Sequence, residues 1–506
     1  MKEIALPLNP TPARVWIAVI ALGICAFSIV TSELAPVGML SALAADFHQT
    51  ESGMGLAVTA YGWVGALAAL LSGAMPARIS RKALLVGLML TLALSCLAAT
   101  RSYSMFALMS ARMIGALAHG AFWALIGIVA AQLVPPHRLG LATAIIFGGV
   151  SAASVVGVPL ASFIATLAGW RHAFLAVALL SLAAAAVLCS TLPALAASTP
   201  VRLGVYRDIF RNPLLCGLYG ATACIITAHF AAFTYVEPLL ITLQGVPATA
   251  LSGLLLLSGV SGLVGNVIAG KLIDRHLKGL IFASLLLSGG ALALLGTGRL
   301  APLPFCFSGL LLALWGAGIA IVFVGLQTWL LRSAGAVAQP ASAIYVAIFN
   351  AAIGTGALVG GQLIATAGLS GMVWLAAGIM ACSTLLIALL NFVNLMVTKT
   401  VSRRREFAVY QSLGMTLGQL RRLVLLEGAF SALILAVVLV PVTVAFAALV
   451  MPDYIANLSW VSVYTFDVTP LWIILPVVVA LAVLTPLICL RFITKGTIQQ
   501  RLGVTE

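Results

Sequence analysis

An acid inside an apolar stretch is the first residue in this chain that could do chemistry. Glu33 stands 18 positions beyond Val15 in a run that is otherwise almost free of charge. An ionisable group buried in such a run is costly, so it is a functional candidate by default. At about 1.5 Å of rise per residue it lies roughly 27 Å along a helix. Arg112 stands nine positions beyond Tyr103 in another apolar run, roughly 13 Å from that run's start. If the two runs cross a membrane in opposite directions, the acid and the base can meet. Such a pair can hold or release a proton according to whether it is closed. The expectation is that Glu33 carries a coupling proton and Arg112 sets its affinity; the alternative is a static structural pair.

Other polar groups sit at similar depth. His119 follows Arg112 by seven residues, close to two helical turns, so both share one face. His229 occupies the middle of a later run, with Tyr235 and Glu237 beyond it and Pro238 placed to bend the helix. Tyr61, Trp123, Gln327 and Asn350 add aromatic and hydrogen-bonding surfaces from four further places. Each is as readily an interhelical hydrogen bond as a ligand contact. Together they suit a cavity for sugars or other neutral small molecules. Gly148, Gly149, Gly157 and Pro159 thin one helix and break its hydrogen-bond ladder.

The elements that must position these groups are membrane helices. Charged residues are 8% of the chain and hydrophobic ones 62%, with mean hydropathy +1.18, so a soluble core is excluded. The apolar runs are about 18 to 30 residues long, enough to cross a hydrocarbon layer of about 30 Å as helices and too long for barrel strands. Fourteen spans are expected, with the first too long and too poor in small residues at its end for a cleaved signal. Of the 26 Lys and Arg, 22 fall in alternate segments on one side and three, Arg101, Arg171 and Arg299, on the other. That asymmetry places both termini in the cytoplasm. The net charge of +14 is spread over short loops and does not form the continuous basic face that nucleic acid needs. The eight cysteines lie in apolar segments without metal-ligand spacing, so no metal or cofactor is expected. GNVIAGKL, from Gly265, has Leu272 where a phosphate loop needs Ser or Thr, and it ends a span instead of following a strand.

Two loop motifs repeat at an offset of 197 residues. GAMPARISRK starts at Gly73 and GKLIDRHLK at Gly270, the spacing of a six-helix half in transporters built from doubled bundles. A glycine allows close helix approach, and the charges past the helix end can pair across the inner face to gate it. The second copy offers Gly270, Asp274, Arg275 and Lys278. The first has Ala77 where that acid would stand and retains Arg78, Arg81 and Lys82.

The stretches TSELAPVGMLSALAADF, AYGWVGAL, ARMIGALAHGAFW, GVPLASFIATLAGWRHAF, TAHFAAFTYVEPLL and FNAAIGTGALVGGQL resemble major facilitator superfamily carriers of the drug:proton antiporter type, most of all bacterial sugar efflux transporters. The resemblance implies proton-coupled export across a bacterial inner membrane, with protons and a small molecule as partners and no enzymatic activity. Arg112 falls on that family's span-4 arginine, and GVP around Gly157 and Pro159 is a partial match to its antiporter motif. From Asn391 the resemblance changes: NFVNLMVTKTVSRRREFAVYQSLGMTLGQLRRLVLLEG and the segments after it are similar to the last three spans of an FtsX-like permease. There Arg405, Glu406, Phe407 and Gly414 fall in a cytoplasmic elbow that would dock an ATP-binding subunit. A basic loop lying on anionic lipid explains the same charges.

The expected fold is therefore an all-α integral membrane protein with two six-helix bundles and two additional spans. Its parts are an N-terminal half over 1–195, a linker over 196–213, a second half over 214–390 and a permease segment over 391–506 with its elbow at 399–422. An ABC-type membrane subunit and a fusion without transport activity are the alternative readings.

Overall fold

The computed structural model describes residues 12–72, 79–135, 139–193, 195, 203–299, 305–449, 476, 479, 480 and 482–490. These residues are almost entirely helical, and no strand occurs among them. The chain divides into two compact units, Met1–Thr384 and Leu385–Glu506.

In the first unit the N-terminal half is built from α1 (Pro12–Leu34), the short α2 (Leu40–Asp46) and α3 (Glu51–Met54), α4 (Leu56–Ser72), α5 (Arg81–Thr100), α6 (Met105–Leu133), α7 (Leu139–Ala152), α8 (Val158–Ala168) and α9 (Trp170–Thr191). Capping follows the sequence locally. Ser80, Ser104 and Thr50 each accept the backbone N–H three residues on, at 3.0–3.2 Å, closing the starts of α5, α6 and α3. The half packs α1 on α7, α4 on α6 and α5 on α9. Small residues allow this: a Cβ on Gly149 would stand 2.0 Å from the Gly23 carbonyl oxygen, and the Ser95 hydroxyl bonds the Ala111 carbonyl at 2.7 Å.

The second half comprises α10 (Leu203–Phe210), α11 (Pro213–Phe233), the turn α12 (Val236–Pro238), α13 (Ala248–Leu295), α14 (Phe305–Ala334) and the first part of α15 (Ala338–Ser402). Among the described residues ten helical segments are long and apolar enough to cross a membrane. Two of them are double length, at 48 and 53 residues. A straight helix of 48 residues would reach about 72 Å, more than twice a bilayer core. Each is interrupted once: α13 at His276 (φ −129°) and α15 at Gly368, whose φ of 72° favours glycine. Each is therefore long enough for two crossings. The remaining expected spans fall near 437, in a helix whose side chains are largely undescribed, and near 480, mostly outside the described residues. Leu67, Leu94, Phe106 and Leu167 are more than half exposed, as helix faces turned to lipid should be.

Two prolines leave a mark on the backbone. Pro159 has no N–H to give, and the turn before it widens to a π turn over Ala153–Gly157, in which the Val158 N–H reaches Ala153. Pro238 is followed by a second π turn over Leu239–Leu243, with the Gln244 N–H on the Leu239 carbonyl.

In the second unit α15 ends at Ser402, and α16 (Arg404–Ser412) and α17 (Leu417–Leu449) follow. Gly414 turns the chain at φ 98°. Thr416 and Gln419 form a reciprocal cap there, with the Thr416 N–H on Gln419 Oε1 at 2.8 Å and the Gln419 N–H on Thr416 Oγ1 at 3.3 Å. Phe407 is buried with Leu420, Val424 and Leu490. Leu413 lies beyond the last turn of α16 and is 80% exposed.

Candidate functional site

A cavity of about 960 Å³ lies between the two halves of the first unit. Its walls run from Glu33 and Phe233 to Asn266, Gln327 and Ser342. It therefore extends toward the end of the bundle where α1 begins and α14 stops. The opposite end is sealed.

The geometry around Glu33 starts with Pro36. That proline cannot donate to the Ser32 carbonyl, and α1 gives way to a 3₁₀ turn over Ala35–Gly38. The carbonyls left over need partners. Arg112 supplies them: Nη1 donates to the Ser32 carbonyl at 3.1 Å and Nη2 to the Glu33 carbonyl at 3.2 Å. Its guanidinium also lies 4.6 Å over the Tyr61 ring. The expected meeting of the two residues thus occurs, but through the backbone of Glu33. The carboxylate itself faces His119, with Oε2 3.8 Å from Nδ1. Oε1 is buried and without a hydrogen-bond partner. Glu33 and His119 are 6% and 2% exposed, and both line the cavity.

Trp123 continues the same wall, its ring 6.3 Å from His119. Across the cavity His229 sits in an aromatic enclosure, stacked on Phe233 at 5.1 Å with Trp315 and Phe323 edge-on at 5.4 and 5.5 Å. Its Nδ1 is unpartnered, as are Asn350 Oδ1, Trp315 Nε1 and the Tyr345 hydroxyl. Buried polar atoms left open in a cavity wall are positioned for a ligand or water.

Of the ten residues expected for proton and substrate, Glu33, His119, Trp123, His229, Gln327 and Asn350 line this cavity. Tyr61 and Arg112 stand behind its wall. Tyr235 and Glu237 lie in the sealed end, where the Tyr235 hydroxyl bonds the Ala357 carbonyl at 2.8 Å and Glu237 accepts from the Ser41 N–H at 3.0 Å. Trp315, Phe323 and Tyr345 also line the cavity and were not singled out; Trp315 and Phe323 are eight residues apart on one face of α14, a spacing that apolar packing also produces.

The seal is made of close contacts between halves. A Cβ on Gly62 would stand 2.6 Å from the Gly354 nitrogen, Trp63 Nε1 donates to Thr355 Oγ1 at 3.2 Å, and the Ser52 hydroxyl donates to the Gly361 carbonyl at 2.5 Å. Within the N-terminal half, Gly157 packs on Thr31, where a Cβ would meet Oγ1 at 2.2 Å. At the other end Asp274 pairs with Arg332 inside its own half, and Lys278 Nζ lies 5.3 Å over the Trp329 ring. Arg275 is exposed, and nothing described comes within 4 Å of a Cβ on Gly270. Arg81 is buried, Lys82 is half-buried and Arg78 lies outside the described residues.

In the elbow Arg405 and Glu406 are exposed. The organising residue is their neighbour Arg403, which grips both oxygens of Glu427 at 2.7 Å, bonds Glu406 at 2.7 Å and lies 5.1 Å over Phe407.

A helical membrane unit with a cavity between two bundles is the architecture of a transporter. The chain belongs to the Major Facilitator Superfamily, whose profile matches residues 22–340. Residues 378–498 match the C-terminal part of FtsX-like permeases. Similar solved structures include a D-xylose-proton symporter, with 17% identity, a TM-score of 0.60, and coverage of 74% of this chain and 96% of that one. A bacterial homologue of the human lysosomal transporter Spinster, inward-facing and occupied, gives 13%, 0.59, 75% and 97%. The human organic anion transporter MFSD10 (TETRAN) gives 17%, 0.56, 74% and 99%. At these identities the likeness is one of fold.

Proposed function

We propose that the chain exports sugars or related small molecules from a bacterial cytoplasm in exchange for protons, by rocking its two six-helix halves around the central cavity. Loops rich in Lys and Arg put both termini inside, which makes the sealed end external and the cavity open inward. The observation that carries the reading is the Glu33–His119 pair, buried in the cavity wall just beneath the external seal. An acid there meets the inner solution in this conformation and the outer solution once the seal parts, as antiport requires. Arg112 holds the bent end of α1 and with it the orientation of Glu33. The mostly apolar walls, with aromatic rings and open hydrogen-bonding atoms, suit an uncharged polar solute.

The test is efflux from proteoliposomes under an imposed pH gradient. The intact chain is expected to export solute while protons enter, and E33Q to insert normally but lose gradient-driven export. Undiminished coupled export by E33Q would remove Glu33 from the role.

A second reading rests on the elbow, where the Arg403–Glu427 grip fixes a short amphipathic helix with Arg405 and Leu413 exposed. It would serve as a docking surface for an ATP-binding subunit. Co-purification of an ATPase with the intact chain, lost on replacement of Arg405 and Leu413, is the outcome that favours it.

A further inference from the structure

Glu237 lies four residues beyond Phe233, where α11 ends, and outside the cavity. It belongs to the second half, yet its carboxylate accepts the N–H of Ser41 in the first half at 3.0 Å. The Ser41 hydroxyl donates in turn to Glu51 Oε1 at 2.7 Å. One serine therefore ties together an acid from each half across the external seam. Glu237 is 6% exposed.

We propose that Glu237 is a second proton-binding site, distinct from Glu33, and that a proton taken there from the external solution favours closure of the outer seam.

Among the described residues, the elements packed on α12 supply no cation. α12 packs on α2, on the Ala35–Gly38 turn and on the Leu239–Leu243 turn. The two turns bring no titratable group. α2 brings Ser41 and Asp46, and Asp46 is engaged by Arg171 at 2.9 Å and by Trp170 Nε1 at 3.3 Å. α3 brings Glu51, a like charge. The Tyr235 hydroxyl next in the chain is turned to Ala357. Two carboxylates held by the N–H and the hydroxyl of one serine, in a partly buried seam, repel when both are ionised. A protonated Glu237 avoids this and still offers a carbonyl oxygen to the Ser41 N–H.

Burial raises the Glu237 carboxyl from 4.5 to about 7, with the peptide N–H groups of Ser41 and Leu40 pulling it down and Glu51 pushing it further up. Parting of the seam exposes the acid to water and returns it toward the ordinary value. The closed form therefore binds the proton more tightly, and by linkage protons favour the closed form. That advantage is complete below the open-state value and is lost as pH rises through about 7. Across this window the closed-to-open ratio changes by up to roughly 300-fold. External acid would thus return an emptied carrier to its inward-facing form.

The test measures distances between nitroxide labels at Q49C and T249C, exposed positions on the external ends of the two halves. It uses the full chain in liposomes with its native cysteines replaced, and it needs no substrate, so it stands apart from the transport assay. The short-distance population is expected to rise as pH falls from about 8 to about 5. E237Q should be closed and insensitive to pH, E33Q should keep the response, and E51Q should move its midpoint to lower pH. A response that survives in E237Q, disappears in E33Q, or is absent from the parent chain overturns the proposal. If E237Q does not reach the membrane, an unmoved midpoint in E51Q overturns it.

Discussion

Gly354 offers a direct test of whether the seal is a moving contact. A Cβ built there would stand 2.6 Å from the Thr59 carbonyl oxygen and 2.8 Å from Trp63 Cδ1, both in the other half. Ordinary contact begins near 3.4 Å, so G354A forces the halves apart by about 0.8 Å or strains them; overpacking of this kind costs about 1–3 kcal/mol. The whole penalty falls on the conformation in which α4 and α15 touch. An outward-open form bears none of it, so the equilibrium should move outward by a factor of roughly 5 to 150. Gly149 is the control, since its Cβ would meet the Gly23 carbonyl oxygen at 2.0 Å within the N-terminal half. That contact survives rocking, and G149A should lower thermal stability without changing exposure of the cavity. The assay is labelling of V324C, in the cavity wall, by a membrane-impermeant maleimide from outside. Labelling should accelerate in G354A and not in G149A. Equal labelling in both, with similar losses of melting temperature, would refute the idea that the seal opens during the cycle.

Three further outcomes are expected. R112A leaves the Ser32 and Glu33 carbonyls buried without their donor and should cost about 1–3 kcal/mol for each, read as a fall in the melting temperature of the purified chain. H119Q keeps a hydrogen-bonding side chain beside Glu33 but removes the imidazole; proton-driven efflux should drop by roughly tenfold or more while solute binding, measured by calorimetry, is retained. R403A removes the guanidinium that Glu427 and Glu406 share and should loosen the elbow by about 1–3 kcal/mol, visible as faster proteolysis near Ser402 with transport by the first unit unchanged.

The helical architecture was legible because hydropathy and length alone forbid other solutions for most of the chain. Shared facing of Arg112 and His119 followed from their seven-residue spacing. What spacing could not say is which atoms of Glu33 each would reach, since that depends on the rotation of α1 against α6 and on the carbonyls that Pro36 releases. The enclosure of His229 was half visible: the histidine stood out as polar, whereas Trp315, Phe323 and Tyr345 look in sequence like any apolar helix residue. Glu237 was read as part of the cavity from its closeness to His229 along the chain. The break at the end of α11 carries it past the wall and into the seam.

The π turn at Ala153–Gly157 has a geometric corollary. It absorbs one surplus residue, so everything beyond it is rotated by about 100° relative to an unbroken helix. Removing a single residue from this turn would leave the hydropathy of the chain almost unaltered, yet it would swing Ser151 and Phe147 out of line with Val158 and Ser162. A one-codon deletion here should therefore give a protein that inserts, folds as a bundle and has lost the shape of its chamber.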